Sequence, residues 1–437
     1  MLMRAGVGIA ALRRQEFTRL DRTGCTYLDY AGAALYPESL VRRDARRLAT
    51  QVTGNPHSES APSRKATASL DQARALTLGM LDADSRDYEV MFTPNASGAL
   101  RIVAESFPFG SGSRFVLTAD NHNSVNGIRV RARRCGAAIV YVPLDADLRA
   151  TDPVPFLTAT ASPSLLAFPA QSNFSGVRHP LAWVRAAHAR GYRVLLDAAA
   201  CLSTSRLSLA DTPADFVALS FYKIFGYPTG VGALVVRRDA MTLLRRRYFA
   251  GGTVQFVSVQ NQRARLRDGA AAFEDGTPNF LAMPAVCDGL KWFERLDVER
   301  VGDHVDSLTA SLLDRITSPG SGVIVYGPHQ VNARGGTIAF NVTRGNQVVG
   351  YETIESAARE RGIAMRGGCF CNPGAAEHAF GIDAARARAC LKGPFTIPRF
   401  RRCLGDRPVG ALRASIGVAT SSRDVDRLVV LLSELAR

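Results

Sequence analysis

The chain has 437 residues, 46% of them hydrophobic and 21% charged, with a formal net charge of +15. That is enough apolar sequence for a large core in one or two domains, and too much for a disordered chain. No apolar run reaches the roughly 18 residues that a membrane-spanning helix needs. The first 14 residues hold a weakly apolar stretch followed by Arg13-Arg14, without the small-residue cleavage site of a signal peptide, so a cytoplasmic protein is expected. From residue 88 onward, β-branched apolar runs alternate with amphipathic stretches. Strands are expected at 88–93, 114–118, 138–142, 165–169, 193–197, 215–220 and 232–236, with helices such as 99–106 and 181–190 between them. Near-continuous apolar strands joined by helices indicate an α/β unit with a largely parallel sheet. Beyond residue 283 the rhythm changes. Helices at 285–296 and 298–313 lead to strands at 323–326, 337–342, 363–366 and 412–416 and a closing amphipathic helix at 424–435. The expected division is an N-terminal segment, 1–30, packed with the small domain; a large α/β domain, 31–283; and a smaller α+β domain, 284–437.

The basic excess does not point to nucleic acid. Its clusters (Arg42-Arg43, Arg129 to Arg134, Arg245 to Arg247, Arg399 to Arg402) are short and scattered, and none alternates with aromatics in a base-stacking pattern. Of the 54 basic residues only Lys65, Lys223, Lys291 and Lys392 are lysine, so 50 are arginine and each lysine can be weighed singly. Eight cysteines in this length do not make a secreted disulfide framework. Cys25, Cys135, Cys201, Cys287, Cys390 and Cys403 are expected to stand alone, and only Cys369 and Cys371 form a group. No second pair at ligand spacing accompanies them, so no metal site is expected.

In open α/β sheets ligands bind beyond the carboxyl ends of the strands, so the residues just after each strand are the ones to weigh. Pro94-Asn-Ala-Ser-Gly98 comes after the first, and small residues opening a helix present amides and a hydroxyl to a phosphate; a plain helix cap at Ser97 explains the same residues. Asp120-Asn-His122 comes after the second, with a surface histidine as the simpler reading of His122. Ala170-Gln-Ser-Asn173 comes after the fourth, Asp197 closes the fifth, and Ser220-Phe-Tyr222-Lys223 comes after the sixth. Lys223 stands among Phe221, Tyr222, Ile224 and Phe225, where desolvation lowers the pKa of an ammonium and favours imine chemistry. A phosphate turn, an imidazole, an amide, a carboxylate and a lysine on successive strand ends are what pyridoxal phosphate requires.

The matching stretches identify a resemblance. Tyr27-Leu-Asp-Tyr-Ala-Gly-Ala33, Asn55-Pro-His-Ser58, Phe168-Pro-Ala-Gln-Ser-Asn-Phe-Ser-Gly176, Leu196-Asp-Ala-Ala-Ala200, Ser220-Phe-Tyr-Lys-Ile-Phe-Gly226, Phe273-Glu-Asp-Gly-Thr277 and Gly368-Cys-Phe-Cys-Asn-Pro-Gly374 run in order over almost the whole chain. The chain resembles fold-type I, class V pyridoxal-phosphate enzymes, above all the cysteine-desulfurase-like domain of molybdenum cofactor sulfurases. The resemblance implies a seven-stranded, mainly parallel sheet flanked by helices, with a smaller α+β domain.

The resemblance also implies roles. Lys223 carries the cofactor and shuttles the Cα proton, Asp197 pairs with the ring nitrogen, Asn173 bonds the ring hydroxyl and His122 stacks on the ring. Ala96, Ser97, Ser220 and Tyr222 hold the phosphate. Thr253, in Phe249-Ala-Gly-Gly-Thr253, reaches the phosphate in a neighbouring subunit, which implies a homodimer with shared sites. Arg413, in Leu412-Arg-Ala-Ser415, clamps the substrate carboxylate; Ala33, Asn55, His57 and Arg366 line the substrate side. The family's persulfide cysteine lies five residues after an arginine, which is Cys371 counted from Arg366, in preference to Cys369. A structural cysteine pair is the alternative. Ala200 stands where many desulfurases place a glutamine. The sulfurases carry a further C-terminal domain beyond the part matched here, so sulfur delivery to molybdopterin does not follow. The expectation is cleavage of the C–S bond of L-cysteine or a cysteine conjugate, with sulfur passed to a protein or small-molecule acceptor. A class V aminotransferase, epimerase or β-lyase without persulfide is the alternative, ahead of a non-catalytic binding protein.

Overall fold

The computed structural model describes residues 8–405 and 407–437. The first part of the weakly apolar N-terminal stretch, residues 1–7, lies outside them. Helices α1 (Ile9–Glu16) and α2 (Thr18–Thr23) lead into the short strand β1 (Thr26–Tyr27), then α3 (Glu38–Thr50) and α4 (Ala61–Met80). Pro62 sits in the first turn of α4, where its missing N–H costs nothing.

The main sheet begins at β2 (Tyr88–Thr93), followed by α5 (Ala96–Ser106), β3 (Arg114–Thr118), α6 (Asn123–Asn126), α7 (Ile128–Arg134), β4 (Ala138–Val142) and β5 (Ser164–Pro169). It continues through α8 (Trp183–His188), β6 (Tyr192–Asp197), β7 (Phe216–Ser220), α9 (Phe221–Phe225) and β8 (Gly232–Arg237), which leads into α10 (Arg238–Met241). The strand order is β2-β8-β7-β6-β5-β3-β4. Only β8 runs against its neighbours; every other adjacent pair is parallel. All residues of β5 and β7 are buried, as strands covered on both faces must be, whereas the edge strand β4 keeps an exposed face. The mainly parallel seven-stranded sheet expected from the sequence is therefore present.

A hairpin, β9 (Val254–Ser258) and β10 (Arg263–Leu266), follows the sheet and was not expected. Its side chains are largely exposed, so no buried face imprints a pattern on the sequence. Next come α11 (Met283–Glu294) and α12 (Val298–Ile316). Asp297 caps α12 by accepting from the Arg300 amide. The strands β11 (Val323–Tyr326), β12 (Thr337–Arg344) and β13 (Gln347–Val348) precede α13 (Tyr351–Glu360), β14 (Ile363–Ala364), β15 (Arg366–Gly368) and α14 (Pro373–Ala379). After α15 (Ala384–Cys390) and α16 (Ile397–Cys403), the chain ends with β16 (Ala411–Ser415) and α17 (Ser422–Ala436), which opens on a Ser421–Asp424 capping box.

The second sheet is antiparallel, in the order β11-β12-β16-β15, with a core of Ile338, Phe340 and Leu412 against Val305, Leu312 and Leu428. Two expectations are corrected here. The single strand expected at 363–366 is two: Ile363–Ala364 pairs with β1, and after Met365 the chain turns so that Arg366–Gly368 joins β16. Cys390 and Cys403 do not stand alone; they form a disulfide that ties the ends of α15 and α16. The N-terminal segment pairs with β14 through β1 in a separate two-stranded sheet, and an isolated bridge joins Asp29 to Ser415 of β16. Phe17 also packs edge-on against Trp292 of α11, whose apolar face joins the core around α4.

Candidate active site

A pocket opens at the carboxyl ends of β5, β6 and β7 and the N-terminus of α5. Its walls include Ala96, Ser97, His122, Asn173, Asp197, Ser220, Tyr222 and Lys223 together. Each arrives by the same local rule: an apolar strand ends, and the next polar residue faces the opening. Asp197 is the last residue of β6 and accepts a hydrogen bond from the Ala199 amide (3.0 Å). Lys223 lies in the first turn after β7, and burial lowers its pKa; Asp197 opposes that shift. Burial likewise lowers the pKa of His122, with Asp197 opposing and Lys223 adding to the effect. The imidazole Nδ1 meets Ser124 at its amide and its hydroxyl, both at 3.1 Å. A neutral ring suited to stacking is the result.

At the phosphate end, the helix cap is Asn95 and not Ser97. Asn95 Oδ1 accepts from the Gly98 amide (3.0 Å), so α5 starts at Ala96 and the Ser97 hydroxyl is left for other work. Ser97 Oγ lies 2.7 Å from Ser124 Oγ, and the Ala96 amide donates to Ser220 Oγ at 2.8 Å. Three hydroxyls thus gather at the positive end of an eleven-residue helix. Burial raises the pKa of Tyr222, with Arg366 opposing, so its phenol stays a donor.

The cysteine loop is bonded to one wall of this pocket, at Asn173. Asn173 Nδ2 donates to the Phe370 carbonyl (2.7 Å), Asn372 Nδ2 donates to Asn173 Oδ1 (2.9 Å) and to the Asp120 carbonyl (2.6 Å), and the Asn123 amide donates to the Cys371 carbonyl (2.7 Å). Gly374 permits the approach, since a Cβ there would lie 2.0 Å from the Ala119 carbonyl oxygen. Phe370 and Cys371 both hold φ near +56°, a left-handed pair that side chains resist. Both cysteines are exposed. Cys371 acts electrostatically on Lys223, Arg366 and Arg413; Cys369 acts on Tyr351.

The class-V aminotransferase family profile matches residues 26–428. The chain belongs to that family. It is 36% identical to a molybdenum cofactor sulfurase of Drosophila melanogaster, over 95% of this chain and 58% of that protein. The corresponding figures for an Arabidopsis thaliana protein described by the same words are 32%, 96% and 57%. The chain thus spans somewhat more than half the length of these relatives. Among solved structures, a cysteine desulfurase of Thermococcus onnurineus superposes with a TM-score of 0.83 at 22% identity, covering 99% of both chains. At that identity the likeness is one of fold.

The donor set fits pyridoxal phosphate, the cofactor of this family: a helix N-terminus and three hydroxyls for the phosphate, Asp197 for the ring nitrogen, and the pocket-lining Lys223 for the aldehyde. Other expected residues stand elsewhere. Thr253 is buried in its own turn, exchanging hydrogen bonds with Ala250, and does not line the pocket. Asn55 and His57 are exposed and lie outside its lining, with Asn55 near Thr277 (3.4 Å). Ala33 approaches through the backbone, its carbonyl accepting from the Tyr27 hydroxyl while the next amide bonds to the Tyr222 carbonyl. Arg413 is buried and Arg366 half-exposed, and both bind the carboxylate of Asp29.

Asp29, Gln171 and Ser124 were not singled out from the sequence. Gln171 lines the pocket beside Ala200 and donates to its carbonyl (3.0 Å), so an amide from a neighbouring strand end occupies the region where Ala200 offers none. Its position two residues past a strand end was the available signal. Because the folded pKa of His122 lies below the unfolded 6.5, protonating it costs the folded state stability. Its contribution is therefore neutral above pH 6.5 and destabilising as pH falls through the folded value. The cofactor-free His122→Asn variant is expected to lose less melting temperature than wild type between pH 7 and pH 5. Parallel melting curves would remove that assignment.

Proposed function

We propose that the chain is a pyridoxal-phosphate-dependent cysteine desulfurase-like enzyme that cleaves the C–S bond of L-cysteine or a cysteine conjugate and carries the sulfur as a persulfide on Cys371. The observation that supports it is the cysteine loop, bonded to the wall of the Lys223 pocket through Asn173 and Asn372, with Cys371 within electrostatic reach of Lys223, Arg366 and Arg413. The bound cofactor supplies an electron sink that acidifies the substrate Cα–H. Arg413 orients the substrate carboxylate, with Ala33, Asn55, His57 and Arg366 around the entrance. Lys223 Nζ, whose pKa burial lowers, takes the Cα proton and returns a proton to carbon. Cys371 Sγ, as thiolate, attacks the substrate sulfur. A new S–S bond forms, the C–S pair passes to carbon, and thiolate plus thiol become persulfide anion plus alanine. His122 would cover the ring, Asp197 would hold its nitrogen, and Asn173, bonded to the cysteine loop, would meet the ring hydroxyl. Ala96, Ser97, Ser220 and Tyr222 hold the phosphate.

The reading includes a homodimer, in which Thr253 completes the partner's phosphate site. Supporting it, the segment beside Thr253 exposes Tyr248 and Phe249, and the hairpin after it exposes Phe256, Val257 and Val259. It also includes the division into 1–30, 31–283 and 284–437, and an acceptor for the persulfide sulfur. No helix among the described residues is long and apolar enough to cross a membrane; the cytoplasm is the compartment proposed, although a disulfide such as Cys390–Cys403 is uncommon there. The test is to incubate the cofactor-loaded protein with L-cysteine. Alanine formation matched by added sulfur on one cysteine peptide is expected, from a protein that sediments as a dimer. Pyruvate and ammonia in place of alanine would replace this reading with a β-lyase.

A further inference from the structure

Arg366 and Arg413 stand directly opposite each other across the β15–β16 pair. Like charges in that position repel. One carboxylate answers both. Asp29 takes three contacts from Arg366 (Nε at 3.2 and 3.1 Å, Nη2 at 2.7 Å) and one from Arg413 Nη2 (2.9 Å). Arg413 has 2% of its surface exposed. Its Nη1 donates to the Asn173 carbonyl (3.0 Å), its guanidinium lies 4.8 Å from the Phe370 ring centre, and its buried Nε has no partner among the described residues. An unmet donor on a buried cation calls for a ligand.

The placement of Asp29 is built in. The turn after it is closed by the Gly32 and Ala33 amides on its carbonyl, and its backbone bridges to Ser415, two residues beyond Arg413. Gly32 leaves the space: a Cβ there would lie 2.5 Å from Asp29 Oδ2 and 2.6 Å from Arg366 Nη2. Two cations and one anion leave a net charge of +1 at the entrance. A single substrate carboxylate brings that to zero. A second anionic group on the substrate side chain would leave an excess negative charge in a half-buried site, against Asp29.

We propose that Asp29 is a specificity-determining residue, which neutralises one of the two arginines so that the site accepts an amino acid with one carboxylate and an uncharged side chain and turns away those with a second anionic group. The inference rests on the desulfurase reading, in which Arg413 binds the substrate carboxylate. The orientation of Arg413 does not depend on Asp29 alone, since the Asn173 carbonyl and the Phe370 ring also hold it. Removing the charge of Asp29 therefore changes the electrostatics more than the geometry.

The test is calorimetric binding of L-alanine and L-aspartate to the cofactor-loaded wild type, Asp29→Asn and Asp29→Glu. In Asp29→Asn the affinity for aspartate relative to alanine is expected to rise on the order of tenfold, the effect of one charge at intermediate dielectric. Asp29→Glu should keep the wild-type ratio. Arg366→Gln lowers the same local charge and should move the ratio the other way, which keeps the test decisive if Asp29→Asn does not fold. A ratio unchanged in both charge variants overturns the role of Asp29 and leaves the desulfurase reading standing. A wild type that binds neither amino acid overturns both.

Discussion

On the proposed desulfurase function, Lys223→Ala is expected to reduce turnover of L-cysteine by on the order of 10⁴-fold or more, because it would remove both the covalent anchor and the base. The absorption spectrum of the loaded protein should shift toward that of the free cofactor. An unchanged spectrum in the variant would sink the cofactor assignment. Loss of function can be separated from unfolding on physical grounds. Phe221, Ile224 and Phe225 beside Lys223 are buried, and burial lowers the pKa of the lysine itself. A desolvated ammonium is a cost to the fold, so truncating it in the cofactor-free protein should leave the melting temperature unchanged or slightly higher. A variant that melts well below wild type without cofactor would mean that Lys223 supports the fold.

The main sheet was legible because burial on both faces writes continuous apolar runs into the sequence. The strands at Tyr88–Thr93, Arg114–Thr118 and Ala138–Val142 were located to the residue. The β9–β10 hairpin has no such imprint, since Phe256 and Val259 lie in the open. The break at Met365 is a tertiary event, set by two different strand partners, and a short apolar run does not announce it. The site divides in the same way. His122, Asn173, Asp197 and Lys223 each sit at a strand end, so strand assignment alone brings them to one pocket. Asp29 lies inside a recognised motif, yet its partner Arg366 is 337 residues away, and nothing local couples the two. Thr253, Asn55 and His57 came from resemblance alone. A single chain leaves them off the pocket wall.

Cys371→Ser is expected to prevent the persulfide entirely and to lower alanine formation at least about 10²-fold, while the cofactor spectrum stays as in wild type. The substitution is mild for the loop. Residue 371 is held in place by its carbonyl, bonded to the Asn123 amide, and by the side chains of Asn173 and Asn372 on either side. None of these bonds uses the thiol. Serine keeps the size and loses the nucleophile, since a hydroxyl is not ionised where a thiol is. Cys369→Ser is the matched control, two residues away in the same exposed turn. It should retain persulfide and alanine formation. Persulfide that survives in Cys371→Ser and disappears in Cys369→Ser would reverse the assignment. Sulfide released at the wild-type rate by both single variants and by the double variant would mean that no cysteine of this loop takes part. The left-handed turn at Phe370 and Cys371 would then owe its strain to closing the pocket, and the chemistry would be a β-elimination carried by Lys223.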